Sequence, residues 1–241
     1  MNRLTTLLVT SLGLLFLAPI TLWAQDEDPV RISVRLIDVK ADSVAQFEAA
    51  IADRAEVVQA AGHPFFHVFQ RLRGLDLPGY TLITLDGAYN ELPSIAADPA
   101  WGNRISHSTN DSTLLTVEIY PALSIDAGTA PSGEFLRVRV RTTSPSNRQA
   151  YFAWIEDELA PALREGGITD LRSGRIIMGG NPNTFVRFSF ANEFPAQGPD
   201  IAAAVGEREF ARIIDREPGL LVSSEDYVYR FRDDLSFTAD E

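Results

Sequence analysis

Apolar positions in the first half of the chain alternate between the period of a strand and the period of a helix. Residues 30–36 switch between apolar and charged or polar side chains, which predicts a strand with one buried face. Residues 43–61 carry apolar side chains at helical spacing, and Gly62 predicts the end of that helix. Further strands are predicted at 66–73, 80–85 and 115–120, with a helical region at 91–106. The order β-α-β-β-α-β is that of a ferredoxin-like unit.

The same order returns in the second half, after a segment rich in small residues, glycine and proline at 125–133. The predicted elements are strands at 135–141, 171–178, 184–190 and 226–232, and helices at 146–165 and 201–216. Pro161 predicts a kink or a break in the first of these helices.

Two short sequence pairs also recur at nearly equal separations. The form S-x-x-Q occurs at 43–46 and again 103 residues later at 146–149, and it predicts a capping box at each helix start. The form N-E-[LF]-P occurs at 90–93 and, 102 residues later, at 192–195. We therefore predict a duplication, with a first repeat at 25–124, a linker at 125–133 and a second repeat at 134–241.

Each predicted sheet has helices on one face only, so its other face needs a partner. Packing the two bare faces together gives an α+β fold: a duplicated ferredoxin-like (βαββαβ)2 chain forming a single-chain α+β barrel with its helices outside.

The N-terminus has the form of a secretory signal peptide: a short positive start, an apolar stretch and a plausible cleavage point after Ala24. We expect a periplasmic or secreted protein without stable membrane insertion after cleavage; an uncleaved anchor is the alternative. The net charge of −12 becomes −13 without residues 1–24, which remove one arginine, and such a charge disfavours nucleic acid as a partner.

Cysteine is absent and only three histidines occur, so we predict no metal site. Spacing on a strand would hold His63 and His67 about 13 Å apart, too far to share a metal unless Pro64 folds the chain back. Neither a G-x-S-x-G nucleophile motif nor a phosphate-binding glycine loop is present. We predict no cofactor, with haem bound through a single histidine as the alternative.

The element order and the two repeated motifs resemble the dimeric α+β barrel superfamily, including antibiotic-biosynthesis-monooxygenase-like and NIPSNAP-like domains. The resemblance covers residues 28–237. It implies a barrel in which one chain supplies both halves, so a monomer is compatible with it, although the oligomeric state stays open. The superfamily holds cofactor-free oxygenases, haem enzymes, isomerases and ligand-binding regulators, so the resemblance does not fix an activity.

Arginine supplies nearly all the positive charge, since Lys40 is the sole lysine. Arginines alternate with apolar residues on several predicted strands, and we expect this charged face to line the barrel. The candidate site for an anionic ligand consists of Arg35, Arg71, Arg139, Arg141, His67 and Glu118. Further candidates for the same face are Arg31, Arg73, Arg137, Arg187 and Arg230. An internal lattice of ion pairs or a solvated face is the structural alternative.

A second candidate pocket lies between sheet and helices, where some superfamily enzymes keep theirs. Its residues are His63, Tyr80, Trp101, His107 and Trp154. Such residues could give an oxygenase a base and an aromatic cage, whereas ordinary core packing is the alternative.

The favoured function is the binding of a small anionic or aromatic molecule. The alternatives are a cofactor-independent, monooxygenase-like enzyme acting on an aromatic substrate, and a protein-interaction or structural module. An interior cavity would favour a binder, a base pointing into that cavity would favour an oxygenase, and an exposed apolar patch would favour an interaction module.

Overall fold

A computed structural model of the chain describes residues 29–74, 78–85, 105–125, 133–168, 170–192 and 205–239. Outside these ranges lie the predicted signal segment, residues 126–132 of the linker, most of the helical region at 91–106 and, apart from Asn192, the N-E-[LF]-P motifs. None of the described helices is long and apolar enough to cross a membrane.

Nine strands and four α-helices make up the regular structure of the described residues. The strands are β1 (Val30–Val39), β2 (Phe65–Arg73), β3 (Gly79–Leu85), β4 (Thr109–Ile119), β5 (Phe135–Thr143), β6 (Leu171–Met178), β7 (Thr184–Ala191), β8 (Leu221–Phe231) and β9 (Phe237–Thr238). The helices are α1 (Val44–Ala60), α2 (Arg148–Trp154), α3 (Ala160–Glu165) and α4 (Glu207–Leu220).

The first eight strands close into an antiparallel barrel. Their order around the barrel is β3-β1-β4-β6-β7-β5-β8-β2, and β2 pairs with β3 to complete the ring. The pairings β4–β6 and β2–β8 join the two halves of the chain. The predicted α+β barrel is confirmed.

Three apolar clusters show where the helices lie. One cluster, with Val34, Val138 and Phe188 among its members, fills the barrel. A second packs α1 against the outer face of the first-half strands, and we call it the first layer. A third packs α2, α3 and α4 against the outer face of the second-half strands, and we call it the second layer. The helices therefore cover the outside of the barrel.

The long helix predicted at 146–165 is interrupted, as Pro161 suggested. A π-helical turn at Ile155–Leu159 separates α2 from α3, and Pro161 lies in the first turn of α3. Proline has no amide hydrogen to donate to the preceding turn, and a π turn lets the backbone bypass the missing bond.

The predicted capping boxes are wrong. Ser43 precedes α1 but its hydroxyl donates to Asp42, and Ser146 pairs with the hydroxyl of Ser144. Asn147, rather than Ser146, is the residue before α2. Short side chains at a helix start have several local hydrogen-bond partners, so the motif alone did not decide the partner.

Candidate functional site

The arginine-bearing face of β1 and β5 lies outside the barrel, opposite to the prediction. Val34 and Val138 point into the barrel with the rest of the inner cluster, whereas Arg35, Arg139 and Arg141 are on the outer face. Both faces of these strands are covered, so alternation alone could not tell them apart. The apolar face fills the enclosed interior, while the long arginine side chains lie beneath or beside the helices.

Two predicted site residues do face the barrel interior. Arg71 donates to the carboxylate of Asp38 at 2.7 Å. His67 lies among Phe65, Phe69 and Phe231, with Nε2 2.8 Å from the Thr238 hydroxyl. Burial, followed by the nearby charge of Arg172, lowers the pKa of His67 to about 4. His67 is therefore neutral at pH 7 and is part of an aromatic core.

The other members of the predicted set are spread over the outer surface. Glu118 accepts hydrogen bonds from Arg31 at 3.4 Å and from the Tyr120 hydroxyl at 2.8 Å. Arg35 donates a long hydrogen bond, 3.5 Å, to the Ser112 hydroxyl. The six residues therefore do not form one site, and only Arg139 and Arg141 remain together.

Arg139 belongs to a polar row that crosses the second-half sheet. Its register partners are Asp226 on β8 and Arg187 on β7, and Ser173 on β6 is in turn the partner of Arg187. Two arginines thus stand directly opposite each other on neighbouring strands, an arrangement that is unfavourable without compensating negative charge.

Four arginines and two carboxylates make up what we call the arginine cluster. Its members are Arg137, Arg139, Arg141, Arg187, Glu217 and Asp226. With every member ionised, the cluster carries an excess of two positive charges. That excess stands out in a chain whose net charge is −12.

Glu217, on α4, is the carboxylate at the buried end of the cluster. It accepts hydrogen bonds from Arg187, from Arg141 Nε at 3.2 Å and from the Tyr151 hydroxyl at 3.1 Å. Asp226 lies at the more exposed end, where Arg137 and Arg141 approach it at 2.8 and 2.7 Å. Arg139 Nε is 3.9 Å from the same carboxylate, the longest ion pair of the cluster.

Polar groups in this row lack hydrogen-bond partners. Arg187 is only 2% exposed, yet its Nε has no partner, and the same is true of the fully buried Ser173 hydroxyl beside it. Burial, and then the neighbouring charge of Arg187, lowers the pKa of Arg139 to about 10. A negatively charged group placed here would satisfy open donors and offset the excess charge.

Aromatic side chains cover the buried end of the row. The Arg187 guanidinium carbon lies 5.6 Å from the centre of the Trp154 ring, within the range of a cation–π contact. Trp154 is fixed by a hydrogen bond from its Nε1 to the Ile213 carbonyl at 3.0 Å, and its ring centre lies 5.4 Å from that of Tyr151. Burial raises the pKa of Tyr151, which therefore stays protonated and donates to Glu217.

The second predicted pocket does not come together. Tyr80 lies in the first layer, where its hydroxyl donates to Glu48 at 2.5 Å, whereas Trp154 lies in the second layer. His63 follows α1, and burial and then Arg54 lower its pKa. His107 is exposed, and Trp101 is outside the described residues. Sequence spacing could not assign these aromatics to different layers.

Sequence reasoning missed both carboxylates of the arginine cluster. Glu217 comes from α4, 30 residues beyond Arg187, and Asp226 follows on β8. Arg187 was among the further candidates, but a pairing with a helix distant in sequence leaves no local pattern.

Several solved structures have a similar fold. A candidate monooxygenase of Fusobacterium nucleatum has a TM-score of 0.62 and 14% identity, with 85% of this chain and 93% of that chain aligned. An anthrone oxidase-like protein has a TM-score of 0.58 and 14% identity over 89% and 95% of the two chains. A chlorite dismutase variant of Candidatus Nitrospira defluvii has a TM-score of 0.56 and 12% identity over 87% and 93%.

No protein-family model and no curated protein matches the sequence. The similarity to the solved structures, at these identities, concerns the fold alone. It agrees with the α+β barrel predicted from the sequence.

Neither the second layer nor His67 fits a haem bound through histidine. The chain has no histidine after His107, so the second layer contains none. His67 is enclosed by phenylalanines, and its Nε2 is already bonded to Thr238. Among the described side chains there is also no group of three histidines or carboxylates suited to a metal ion.

Proposed function

We propose that the protein binds a small aromatic anion in its second layer, through the arginine cluster. The observation that carries this proposal is the row Arg139–Arg187–Ser173, with two opposed guanidinium groups and two buried polar atoms lacking partners. A carboxylate or phenolate oxygen can accept from both an arginine and a serine hydroxyl.

The aromatic part of the proposal rests on the side chains around the row. Trp154 and Tyr151 are buried next to Arg187, so a ligand that reaches the row would contact aromatic side chains. Arg137 and Arg139 are partly exposed, so the cluster extends from the buried end toward solvent. A ligand with its acidic group on the arginines and its ring against these aromatics matches both features.

The test is a calorimetric titration with 2-naphthoate, compared with the uncharged 2-naphthalenemethanol. We expect saturable one-to-one binding of the carboxylate and binding of the alcohol at least tenfold weaker. Arg187→Met should weaken naphthoate binding at least tenfold, because it removes the guanidinium with the open donor. The matched control is Arg230→Met, since Arg230 lies on the outer face of the same sheet but is exposed and paired with Glu134.

Equal binding of carboxylate and alcohol, or equal binding by both variants, would contradict the proposal. The remaining explanation would then be an ion-pair lattice that only fixes the position of α4 on the sheet.

Oxidation of the bound anion by molecular oxygen is the second candidate function. It is favoured by the shared fold of the candidate monooxygenase and the anthrone oxidase-like protein. Guanidinium groups that stabilise an enolate or phenolate oxygen lower the cost of deprotonating the substrate, and such a carbanion reacts directly with oxygen. For anthrone the balanced reaction consumes one oxygen molecule and yields anthraquinone and water.

An oxygen electrode tests this second candidate with anthrone at neutral pH. We expect oxygen uptake above the uncatalysed rate, lost in Arg187→Met and retained in Arg230→Met. Naphthoate binding without oxygen uptake would support a binding function and contradict the oxidase function. Equal oxygen uptake by both variants would show that the arginine cluster has no part in the reaction.

We also infer that the barrel is a duplicated ferredoxin-like chain. The strand pairings support this inference. The first half has the order β4-β1-β3-β2, and the second half has the order β8-β5-β7-β6, which becomes 4-1-3-2 when β5 to β8 are renumbered from one. The proposed boundaries are 25–124 and 134–241. The division is tested by expressing each unit alone and the two units together as separate chains. Units that fold and associate would support it, and units that remain unfolded even when they are expressed together would contradict it.

Export to the periplasm or beyond is likewise a proposal, resting on the apolar residues 4–23 and the small Ala24. Intact-mass analysis of protein recovered outside the cytoplasm should show a chain that begins at Gln25. A chain that keeps residues 1–24 would contradict cleavage.

A further inference from the structure

The two ends of the barrel interior are filled differently. One end is packed by Phe65, Phe69, Phe190 and Phe231. The ring centre of Phe69 lies 5.3 Å from that of Phe231 and 6.0 Å from that of Phe190. Toward the other end is an apolar cavity of about 110 Å³. Five valines contribute to its wall: Val34, Val117, Val138, Val140 and Val186. Small side chains thus keep open a space that larger ones fill at the opposite end.

An open interior is unusual in a well-packed domain, because the atoms around a void lose contacts. The void here also touches a polar group, since the fully buried Thr81 hydroxyl, which interacts with the Tyr229 hydroxyl, lies on its wall. Both observations indicate space for an occupant inside the barrel.

A second cavity of about 120 Å³ forms the mouth of the first. The two share Leu36 and Tyr227 in their walls, so they are adjacent. Asp38, Asp111 and Arg71 line the mouth, and the two aspartates are directly opposite each other on β1 and β4.

Negative charge predominates around this mouth. Arg71 pairs with Asp38 at 2.7 Å, which leaves Asp111 opposite it and Glu225 on the wall of the inner cavity. Glu225 accepts a hydrogen bond from the Tyr227 hydroxyl. Three carboxylates against one guanidinium give a net charge of −2, and the faces of Tyr227 and Tyr229 are further favourable surroundings for a cation.

We propose that the barrel binds a short alkylammonium ion, with its alkyl chain in the apolar cavity and its ammonium group at the acidic mouth. A void of about 150 Å³ accommodates benzene in a protein interior, so about 110 Å³ suits a chain of four to six carbons. The charge preference is opposite to that of the arginine cluster, and no residue is shared between the two sites.

Calorimetric titration with pentylammonium chloride tests the proposal, with ethylammonium, 1-pentanol and hexanoate as comparisons. We expect saturable one-to-one binding of pentylammonium, at least tenfold weaker binding of ethylammonium and pentanol, and no binding of hexanoate. Pentanol or hexanoate binding as tightly as pentylammonium would overturn the assignment of a cation, and absence of pentylammonium binding would overturn the site.

Variants then locate the ligand. Val138→Phe should fill the cavity and abolish binding, while Val222→Phe, at a residue 70% exposed on β8, should leave binding unchanged. If Val138→Phe does not fold, the smaller change Val138→Ile should still weaken binding several-fold. Asp111→Asn should weaken pentylammonium binding at least fivefold and leave pentanol binding unchanged.

Unchanged pentylammonium binding in both Val138 variants would place the ligand elsewhere and overturn the proposal. Arg187→Met should leave pentylammonium binding intact, so failure of this site and failure of the arginine cluster can be told apart.

Discussion

The two layers outside the barrel share a strand arrangement but differ in what they bury. In the first layer, the row through Arg35 consists of Leu114, Arg35, Leu82 and Val68, so arginine faces leucine on both sides. In the second layer the row through Arg139 consists of Asp226, Arg139, Arg187 and Ser173. The sheet face of the first layer therefore places leucine and valine beside its one arginine, while the helix α1 contributes a single buried arginine, Arg54, which is 4% exposed.

Buried arginines in the second layer therefore need a separate explanation. A buried ion pair contributes little or even unfavourably to stability compared with apolar side chains of similar size. With four arginines against two carboxylates, the arginine cluster is a costly way to attach α4. The anion binding proposed above would account for the excess, and changes made in one layer at a time distinguish the two explanations.

The largest effect is expected when an arginine is placed in the first layer. Leu82→Arg puts a guanidinium beneath α1 at a position that is 5% exposed, without a carboxylate built to meet it. An uncompensated buried charge costs about 4 kcal/mol or more, so the variant should be largely unfolded in mild urea. Leu82→Met is the size-matched control and should cost less than about 1.5 kcal/mol. If Leu82→Arg is as stable as the parent, the fold tolerates arginine beneath a helix, and the arginines of the second layer would not indicate a binding site.

The next effect concerns the carboxylate that three groups of the second layer share. Glu217→Gln keeps the shape but leaves Arg141 and Arg187 without their common anion. We expect a loss of about 3 kcal/mol in the free energy of unfolding. Addition of 2-naphthoate should restore part of that loss, because the ligand supplies the missing negative charge. A Glu217→Gln protein with unchanged stability would show that the cluster is already compensated in another way.

A smaller effect on stability is expected from His67. This residue is a buried polar group of the barrel core, and its environment involves no ligand. Its pKa of about 4 in the folded state is below the 6.5 of the unfolded chain, so acid favours unfolding. The stability from this residue is complete above pH 6.5 and is lost as the pH falls toward 4. Between pH 7 and pH 5 we expect a loss of about 2 kcal/mol from this group. His67→Phe should reduce the slope of unfolding free energy against pH; an equal slope in both proteins would contradict a neutral buried His67.

The smallest effect is expected at an exposed arginine of the second-half sheet. Arg230 and Glu134 are 58% and 46% exposed and lie 2.8 Å apart. Arg230→Met should change the unfolding free energy by less than about 0.5 kcal/mol, since solvent screens such a pair. Urea denaturation measures it, and a loss above 1 kcal/mol would mean that even rim arginines of this sheet have a structural role.

Sequence patterns predicted the architecture better than the orientation of its strands. Alternation at 135–141 located β5, the strand predicted at 184–190 corresponds to β7, and Pro161 located the interruption of the helix. The same alternation could not tell which face of β5 is inside, because both faces are covered in this barrel. Closure put the valines in the enclosed space and Arg139 outside, the reverse of the prediction.

The candidate site could be predicted only in part. Arg139 and Arg141 were identified, and Arg187 was a further candidate, because they lie in regular alternation on single strands. Glu217 and Asp226 were missed, since their contacts with these arginines depend on how α4 and β8 return to the sheet. His63, Tyr80 and Trp154 were grouped by chemistry alone, and the tertiary structure assigns the last two to different layers.

The most direct test of this account is urea unfolding of the parent protein and Arg187→Met, each with and without saturating 2-naphthoate. If the arginine cluster serves ligand binding, the unliganded variant should be within about 1 kcal/mol of the parent, because Glu217 still has Arg141, and only the parent should gain stability from naphthoate. A loss of about 3 kcal/mol or more in the unliganded variant, with no stabilisation of the parent by naphthoate, would show that the cluster is a structural lattice.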